Sequence, residues 1–335
     1  MLNFIDLFSG AGGMTKGFET IGFNHILSVE YDKKIAETYK YNFPHHQLVI
    51  DDITNIKNDD ILKLVDNKEI DVIVGGPPCQ GFSLAGKFGR TFMEDPRNQL
   101  FKEYLRFVKI LKPKIFIIEN VARLVSHNKG KTIREIEDAI KELGYFVQYK
   151  ILQTADYGIP QKRQRVIIVG SLKQGFTYPE PQNLTVTIKD AIEDLIPLKN
   201  GEKSNIPNHN AMNHRQDMLE KMKYISDGGD RFQIPESIRP KSGDIRKYIK
   251  YDSSKPSITI TGDMRKVFHY SQNRALTARE LARIQTFPDD FIFIGSSINI
   301  QQQIGNAVPP KLSEILASCV KDYLVKEYKF EKQIP

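Results

Sequence analysis

From residue 1 to about residue 170, short apolar runs alternate with amphipathic segments, and this alternation restricts the chain to few fold classes. It predicts βαβ units around a mostly parallel sheet, because a crossover between parallel strands usually contains a helix. The apolar runs have the length of strands and are too short to span a membrane. We therefore predict an α/β domain with strands at residues 3–7, 26–30, 48–50, 72–74, 115–119, 146–152 and 166–169.

The helical pattern divides the chain into two regions. Apolar residues recur at helical spacing over residues 98–111 and 132–143. After about Tyr178, prolines and glycines interrupt a polar stretch, so we expect a second, smaller and loop-rich domain. Helical periodicity returns at residues 277–285 and 311–330. The last of these segments carries Cys319 on its apolar face, where core packing is the simplest interpretation.

Composition narrows the class of protein. The 335 residues can form one large domain or two modest ones, and a charged fraction of 27% indicates a folded, soluble chain. Two cysteines exclude a disulfide scaffold and a cysteine-rich zinc module, and no metal site is expected. Since no basic segment precedes an apolar stretch at the N-terminus, we expect a cytoplasmic protein.

The charge balance permits a polyanionic partner without requiring one. The net charge is +7, and residues 231–273 contain nine Lys/Arg against four Asp/Glu. Taken alone, a solvated basic face is the simpler interpretation of that stretch.

The first predicted strand ends in a glycine-rich turn, Phe8-Ser9-Gly10-Ala11-Gly12-Gly13, that opens a helix. Glycines let backbone N–H groups approach a ligand, and a helix N-terminus favours electron-rich groups. Glu30 ends the next strand, where an acidic side chain can accept hydrogen bonds from ribose hydroxyls. The pair indicates an adenosine-containing cofactor, although a turn without a ligand is equally compatible with this segment alone.

A second motif follows the strand at residues 72–74, where the chain continues as Gly75-Gly76-Pro77-Pro78-Cys79. Two prolines fix the backbone and hold Cys79 at the end of a strand, where open α/β sheets bind ligands. A free cysteine is usually a small buried hydrophobe. The prolines before Cys79 and the polar, glycine-containing loop after it favour a nucleophile instead.

Charged residues end two further strands. Glu119 closes a fully apolar strand, where a carboxylate is costly unless something nearby uses it, and water exposure is the alternative. Gln161, Arg163 and Arg165 share one face of an expected strand. They are candidates for a clamp on phosphate or a base carbonyl, with a solvated strand edge as the alternative.

Together these motifs resemble the DNA (cytosine-5)-methyltransferases of bacterial restriction–modification systems. The matching motifs occur in the family's order and cover nearly the whole chain, except about residues 180–273, where the family keeps its variable target-recognition region. They are residues 6–13, Glu30, Asp52-Ile53, residues 77–83, residues 119–121, Gln161/Arg163/Arg165, residues 274–280, residues 287–289 and residues 303–310.

The resemblance implies a Rossmann-like α/β sheet that binds S-adenosylmethionine, with a smaller, loop-rich target-recognition domain. Residues 1–179 plus 296–335 would form the catalytic and cofactor-binding domain, and residues 180–295 the recognition domain. The final helix is then expected to pack back on the first domain. Duplex DNA is the implied substrate, a restriction endonuclease is a possible functional partner, and a monomer suffices for the reaction.

The resemblance also implies a covalent mechanism. Cys79 would add to carbon 6 of cytosine, because carbon 5 is otherwise a poor nucleophile. A thiol of pKa about 8.5 is mostly protonated at neutral pH, so Arg163 and Arg165 would help it ionise. Glu119 would protonate or hydrogen-bond the ring nitrogen N3, and Arg165 would hold the base carbonyl. The base that removes the carbon-5 proton is not assigned.

For the cofactor the family match implies a turn, a ribose site, an adenine site and a closing C-terminal segment. Leu100 would form part of the apolar wall, although core packing explains its helical spacing equally well. The implied residues are Phe8, Gly10, Gly12, Gly13, Glu30, Tyr31, Asp52, Ile53, Pro78, Leu100, Asn306 and Val308.

Contacts with DNA are expected in two places, since the enzyme must extrude its target base from the duplex. The basic loop at residues 80–96 supplies Ser83, Lys87 and Arg90, although a flexible surface loop has the same composition. The candidates in the recognition region are Arg231, Arg239, Arg246, Lys247, Thr259 and Arg265, with Thr261 and Lys266 beside them. No base is assigned to any of them, because Lys and Arg contact phosphate at least as often as bases.

Four alternatives stay open at this point. A catalytically silent DNA-binding regulator would form no adduct through Cys79, and an RNA cytosine-5 methyltransferase would need no long insert at residues 180–273. A nicotinamide-dependent dehydrogenase is suggested only by the glycine turn and Glu30. An amino-methylating enzyme normally has an aromatic residue after the two prolines, where this chain has Cys79.

Overall fold

A seven-stranded sheet forms the centre of the protein in a computed structural model that describes residues 1–78, 98–182, 184–241 and 246–328. All seven predicted strands are present, and the two-residue strand β7 was not predicted. The strands are β1 (Asn3–Leu7), β2 (Asn24–Glu30), β3 (Leu48–Ile50), β4 (Val72–Gly75), β5 (Ile115–Val121), β6 (Phe146–Gln153), β7 (Gln161–Lys162) and β8 (Gln164–Ser171).

The sheet has the order β3-β2-β1-β4-β5-β8-β6. The first five strands in this order, from β3 through β2, β1 and β4 to β5, are parallel to one another. Strand β8 lies between β5 and β6 and runs antiparallel to both. From β1 the chain extends the sheet to β2 and β3 and then returns to the other side of β1 with β4 and β5. This reversal opens a crevice at the carboxyl ends of β1 and β4, where open α/β sheets bind ligands. The fold is Rossmann-like, as predicted.

Helices cover both faces of the sheet, and alternate residues of β1 serve the two cores. Phe4 packs in a cluster with Met14 and Phe18, whereas Ile5 packs in a cluster with Phe101 on the opposite face. The helices are α1 (Gly13–Thr20), α2 (Lys33–Asn42), α3 (Asn58–Leu64), α4 (Gln99–Leu111), α5 (Arg123–Ser126), α6 (Lys131–Glu142), α7 (Ile188–Ile192), α8 (Gln216–Lys223), α9 (Ala278–Ile284), α10 (Ser297–Asn306) and α11 (Pro310–Tyr328). Within the described ranges, none of the helices is both long and apolar enough to cross a membrane.

Helix α11 packs against α1, as expected for the last helix. Leu312 and Leu316 lie in the same apolar cluster as Phe18 of α1. Gly17 permits this close contact, because a Cβ atom there would lie 2.4 Å from the backbone nitrogen of Glu314. Cys319 is partly buried against the same core.

The described part of residues 180–277 is loop-rich, as predicted, with two short helices and the strands β9 (Ile249–Lys250), β10 (Ser257–Ile258) and β11 (Val267–Phe268). Some of its apolar residues, among them Met222, Ile234 and Phe268, form a small cluster of their own. Ile188 and Ile260 share one cluster with Tyr39 and Phe43 of α2. The boundaries at residues 180 and 295 stay a prediction, and part of this region shares its apolar packing with the sheet domain.

Candidate active site

A cavity of about 710 Å³ lies at the carboxyl ends of β1, β2, β4 and β5, a volume suited to a nucleotide-sized ligand. The cavity brings together the described catalytic candidates and every predicted cofactor residue except Gly12. The predicted residues that line it are Phe8, Gly10, Gly13, Glu30, Tyr31, Asp52, Ile53, Pro78, Leu100, Glu119, Arg163, Arg165, Asn306 and Val308.

The glycines of the turn have three different roles. Gly10 has φ 55° and open space where a Cβ atom would stand, so its backbone faces a free volume. At Gly13 a Cβ atom would lie 2.2 Å from the carbonyl oxygen of Val308, so glycine lets the C-terminal segment close the cavity. Gly12 does not line the cavity, and its predicted contact with the cofactor stays a prediction. Its Cβ atom would lie 2.3 Å from the Phe43 ring, so packing and a φ of 96° require glycine there.

Glu30 is held by the backbone at the position expected for a ribose ligand. Its Oε2 accepts a hydrogen bond from the Gly10 N–H at 2.8 Å, and its Oε1 accepts one from the Asp32 N–H at 2.7 Å. Burial raises the pKa of Glu30, and these two backbone donors oppose the rise. Each carboxylate oxygen can accept a second hydrogen bond, so the side chain can still take ribose hydroxyls.

Asp52 and Ile53 form the next wall of the cavity, and a helix cap and a hydrogen bond from α4 hold them in place. Asp52 accepts hydrogen bonds from the Thr54 N–H at 2.9 Å and the Thr54 hydroxyl at 2.7 Å, which caps the short 3-10 helix Ile53–Asn55. Arg106 of α4 donates to the Ile53 carbonyl oxygen at 2.9 Å. Ile53 is thereby held as a buried apolar surface beside Asp52.

Glu119 and Arg165 form an ion pair at the opposite end. Arg165 Nε lies 2.7 Å from Glu119 Oε1, and the two side chains are 15% and 11% exposed. A Cβ atom at Gly76 would lie 3.2 Å from Glu119 Oε2, so glycine keeps the space beside that oxygen open. Asn120 Nδ2 donates to the Pro77 carbonyl oxygen at 2.9 Å and fixes the start of the Pro-Pro segment.

The residue that follows this segment, Cys79, lies outside the described residues. The predictions for Ser83, Lys87 and Arg90 fall in the same undescribed range, 79–97. Pro78 is the last described residue before it and lines the cavity.

Arg163 lines the cavity and bonds in part to the protein, while its buried Nε has no hydrogen-bond partner among the described residues. Its Nη1 donates to the Gly305 carbonyl oxygen at 2.7 Å, which anchors the segment that carries Asn306. Burial, and next the positive charge of Arg165, lower the pKa of Arg163 to about 9, and the negative charge of Glu119 opposes them. Arg163 therefore positions the closing segment of the cavity.

The expected strand that carries Gln161, Arg163 and Arg165 is divided in the structure. The strand is interrupted at Arg163, and β7 pairs with β10 instead of continuing into β8. Gln161 Nε2 donates to Gln285 Oε1 at 2.7 Å, and Gln161 Oε1 accepts from the Ile260 N–H at 3.0 Å. Gln161 thus joins the recognition region to the sheet domain.

Three basic candidates for DNA contact are engaged within the protein. Lys247 and Arg265 both pair with Asp263, at 2.5 and 2.9 Å. Arg239 donates to the carbonyl oxygens of Ile234 and Phe232, each at 2.9 Å. None of these three cations lines the cavity described above.

The other candidates lie at or near the surface. The Arg231 guanidinium lies 5.5 Å from the centre of the exposed Phe232 ring, and Arg246 is exposed. The Thr259 hydroxyl donates to the Lys162 carbonyl oxygen at 2.9 Å, close in sequence to Arg163. The structure therefore connects Thr259 to a segment of the catalytic end.

Several lining residues were not predicted, among them Asp6, Ser9, Asp51 and Gln303. Asp6 could have been found as the one acidic residue inside an apolar strand. Gln303 begins the motif at residues 303–310, but its place at the cavity depends on how the C-terminal segment returns to the sheet.

The residues present fit S-adenosylmethionine. The cavity offers a glycine turn, a carboxylate at the ribose position and an apolar wall, all from described residues. The buried atoms Asp6 Oδ1 and Ser9 Oγ have no hydrogen-bond partner within the described chain. Such atoms are costly unless a ligand or water satisfies them, so the cavity is suited to a polar ligand.

A Rossmann-like sheet with this cofactor site and a carboxyl group at the same cavity fits the class of S-adenosylmethionine-dependent methyltransferases. The chain matches the family model of C-5 cytosine-specific DNA methylases over residues 2–322. It is 55% identical over 321 residues to the type II methyltransferase M1.HphI of Haemophilus parahaemolyticus, covering 95% of this chain and 86% of that relative.

Two further comparisons agree. The type II methyltransferase M.DdeI of Desulfomicrobium norvegicum is 35% identical over 375 residues, covering 96% of this chain and 89% of that relative. A crystal structure of a candidate DNA modification methyltransferase from an E. coli prophage has a TM-score of 0.79 and 27% identity, covering 97% of this chain and 99% of that one. The chain belongs to the C-5 cytosine-specific DNA methylases of restriction–modification type. It is an enzyme that uses S-adenosylmethionine to methylate cytosine in DNA.

Proposed function

We propose that the enzyme methylates carbon 5 of cytosine within one short duplex sequence, through a covalent bond between Cys79 and carbon 6. The observation that carries this proposal is the shared cavity of Glu30, Glu119 and Arg165. The residues of the cofactor end and those of the Glu119–Arg165 ion pair line the same cavity. Pro78, the residue before Cys79, lines it as well.

The chain's residues divide the chemistry as follows. The Cys79 thiolate forms a bond to carbon 6 while N3 takes a proton from Glu119, which makes carbon 5 an electron-rich enamine carbon. The bound cofactor supplies an electrophilic methyl group. Loss of the carbon-5 proton to a base then expels the thiolate, restores the carbon 5–carbon 6 double bond and lets N3 return its proton.

The ion pair supports this division of roles. Arg165 Nε lies 2.7 Å from Glu119 Oε1, and the space that Gly76 leaves open lies beside Oε2, to which we assign the transferred proton. Arg165 Nη1 donates to the Gln164 carbonyl oxygen, whereas Nη2 donates to no described residue and can hold the base carbonyl.

The target base must leave the duplex to reach the cavity, at a cost of a few kcal/mol. We assign sequence recognition to residues 180–295, with the variable part at about 180–273. The loop-rich structure of this region and its excess of basic residues support the assignment. The restriction–modification names of the relatives further support a role in protecting DNA from a cognate endonuclease.

The adduct is tested with DNA that carries 5-fluorocytosine in the methylated sequence. Fluorine cannot leave as a cation, so the carbon-5 elimination fails and the Cys79–DNA bond persists. We expect a complex that survives denaturing electrophoresis with the natural chain and S-adenosylmethionine, and none with Cys79→Ala. Trapping by Cys79→Ala, or wild-type methylation without any trapped complex, would contradict the mechanism.

A further inference from the structure

Asp6 occupies a position between the two ends of the cavity. It lies on the central strand β1, opposite Ser28 of β2 on one side and Val74 of β4 on the other. Two residues further along these neighbours are Glu30, at the ribose position, and Gly76, at the catalytic end. Asp6 lines the cavity and is 1% exposed.

The Asp6 carboxyl group is held on one side only. Its Oδ2 accepts a hydrogen bond from the Thr15 hydroxyl at 2.7 Å, whereas its Oδ1 is buried without a partner among the described residues. Burial raises the pKa of Asp6 to about 7, the Thr15 hydrogen bond lowers it, and the charge of Glu30 adds to the rise. Tyr39 of α2 and Tyr104 of α4 also face Asp6, and burial raises both of their pKa values. These groups are neutral or negative near pH 7, so none of them compensates an ionised Asp6.

A hydrogen-bonded chain connects Asp6 with the protein surface. The Tyr39 hydroxyl lies 3.3 Å from Thr15 Oγ1 and 3.1 Å from His46 Nδ1. His46 Nε2 in turn pairs with the partly exposed Glu19 at 2.7 Å. The chain fixes the Thr15 hydroxyl and gives the Asp6 proton a path to solvent. His25, stacked on His46, stays neutral, because burial lowers its pKa to about 3.

We propose that Asp6 recognises the positive charge of the methyl donor and thereby distinguishes it from the demethylated product. The inference rests on the use of S-adenosylmethionine by this site. The donor sulfur is bonded to the ribose and delivers its methyl group to the base, so it belongs between the ribose and catalytic ends, where Asp6 lies. The donor and S-adenosylhomocysteine share the adenosine and the amino-acid charges. They differ in the methyl group and in the positive charge of the sulfur.

The sign of the pH dependence follows from this difference. A cationic sulfur favours the ionised form of Asp6, so donor binding below pH 7 has to expel a proton, and its affinity falls as the pH falls. The neutral sulfur of the product imposes no such requirement. Both ligands carry the ribose, so the contribution of Glu30 to ribose binding cancels in the ratio of the two affinities. That ratio therefore reports the ionisation of Asp6, to whose raised pKa the charge of Glu30 contributes.

The test is calorimetric titration of the full chain with S-adenosylmethionine and, separately, S-adenosylhomocysteine between pH 6.0 and 8.0. A group of pKa about 7 predicts that the preference for the donor falls roughly eightfold between pH 7.5 and pH 6.0. In Asp6→Asn, which keeps the size of the side chain, we expect a preference independent of pH and product binding close to wild type. A pH-independent ratio in the natural chain, or a retained pH dependence in Asp6→Asn, would overturn the inference.

Thr15→Val provides a second variant in case Asp6→Asn does not fold. It removes the hydrogen bond that favours ionised Asp6, so the transition in the ratio should move to higher pH. An unchanged transition in Thr15→Val would also overturn the inference. Glu30→Gln is the comparison variant. It should weaken both ligands, and because it removes a negative charge that raises the pKa of Asp6, it should move the transition to lower pH, opposite to Thr15→Val. Failure of the natural chain to bind either ligand would instead contradict the cofactor assignment, and the inference with it.

Discussion

The Glu119–Arg165 pair is the part of the site whose individual atoms carry the proposed chemistry. Glu119→Gln preserves the shape of the side chain and an oxygen for Arg165, but its amide cannot deliver a proton to N3. We expect the single-turnover rate of methylation to fall at least about 100-fold, the usual scale of general acid catalysis. The Kd for S-adenosylmethionine should change little. A variant with wild-type turnover would remove Glu119 from the mechanism.

Single residues were predictable where local sequence decides their position. Glu30 and Phe8 follow directly from strands that end in a turn, and both line the cavity. Gly12 and Gln161 are also constrained by Phe43 and Gln285, which are distant in sequence and gave no local signal. A local motif shows that a residue is constrained, but not whether a ligand or another segment constrains it.

The contact between α1 and α11 gives a prediction at the level of elements. Alanine usually stabilises a helix relative to glycine by up to about 1 kcal/mol. At Gly17, however, the added Cβ atom would lie 2.4 Å from the Glu314 nitrogen and would push the two helices apart. We expect Gly17→Ala to lower the free energy of unfolding by about 1–3 kcal/mol in urea. Thr20→Ala, at an exposed position of the same helix, is the control and should change it by less than about 0.5 kcal/mol. A Gly17→Ala variant as stable as the control would contradict the close packing.

Period-2 and period-3.6 patterns predicted the strands of the sheet and the helices α4, α6, α9 and α11, because each buries a regular face. The short strands β7, β9, β10 and β11 escaped prediction. They have two residues each, and β7 and β10 pair across about 95 residues of chain, for which local periodicity carries no signal.

At the scale of the molecule, the electrostatics of the recognition region depends on Asp263. This carboxylate pairs with both Lys247 and Arg265, and the hydrogen bonds from Arg265 hold its pKa well below the usual range. Asp263→Asn removes one negative charge and releases two cations. We expect tighter binding of nonspecific duplex DNA. The slope of the logarithm of the binding constant against the logarithm of the salt concentration should steepen by the amount that about one to two additional phosphate contacts produce. Asp60→Asn, which frees only Lys63, is the control. Equal affinity and slope in the two variants would show that Lys247 and Arg265 do not face DNA.

Exchange of the recognition region tests its assignment. We expect a chimera that takes residues 180–273 from a relative of different specificity to methylate the relative's sequence. The donor segment must keep apolar side chains at Ile188 and Ile260, since these share a core with α2. Methylation of the original sequence by a folded chimera would place recognition elsewhere in the chain.

The most direct test of the proposed reaction is a map of 5-methylcytosine at base resolution. Unmethylated plasmid DNA is incubated with the purified protein and S-adenosylmethionine, in parallel with the Cys79→Ala variant. We predict methylation confined to one short sequence with the natural chain and none with the variant. Methylation that persists without Cys79, or none from a natural chain that binds S-adenosylmethionine, would contradict the account.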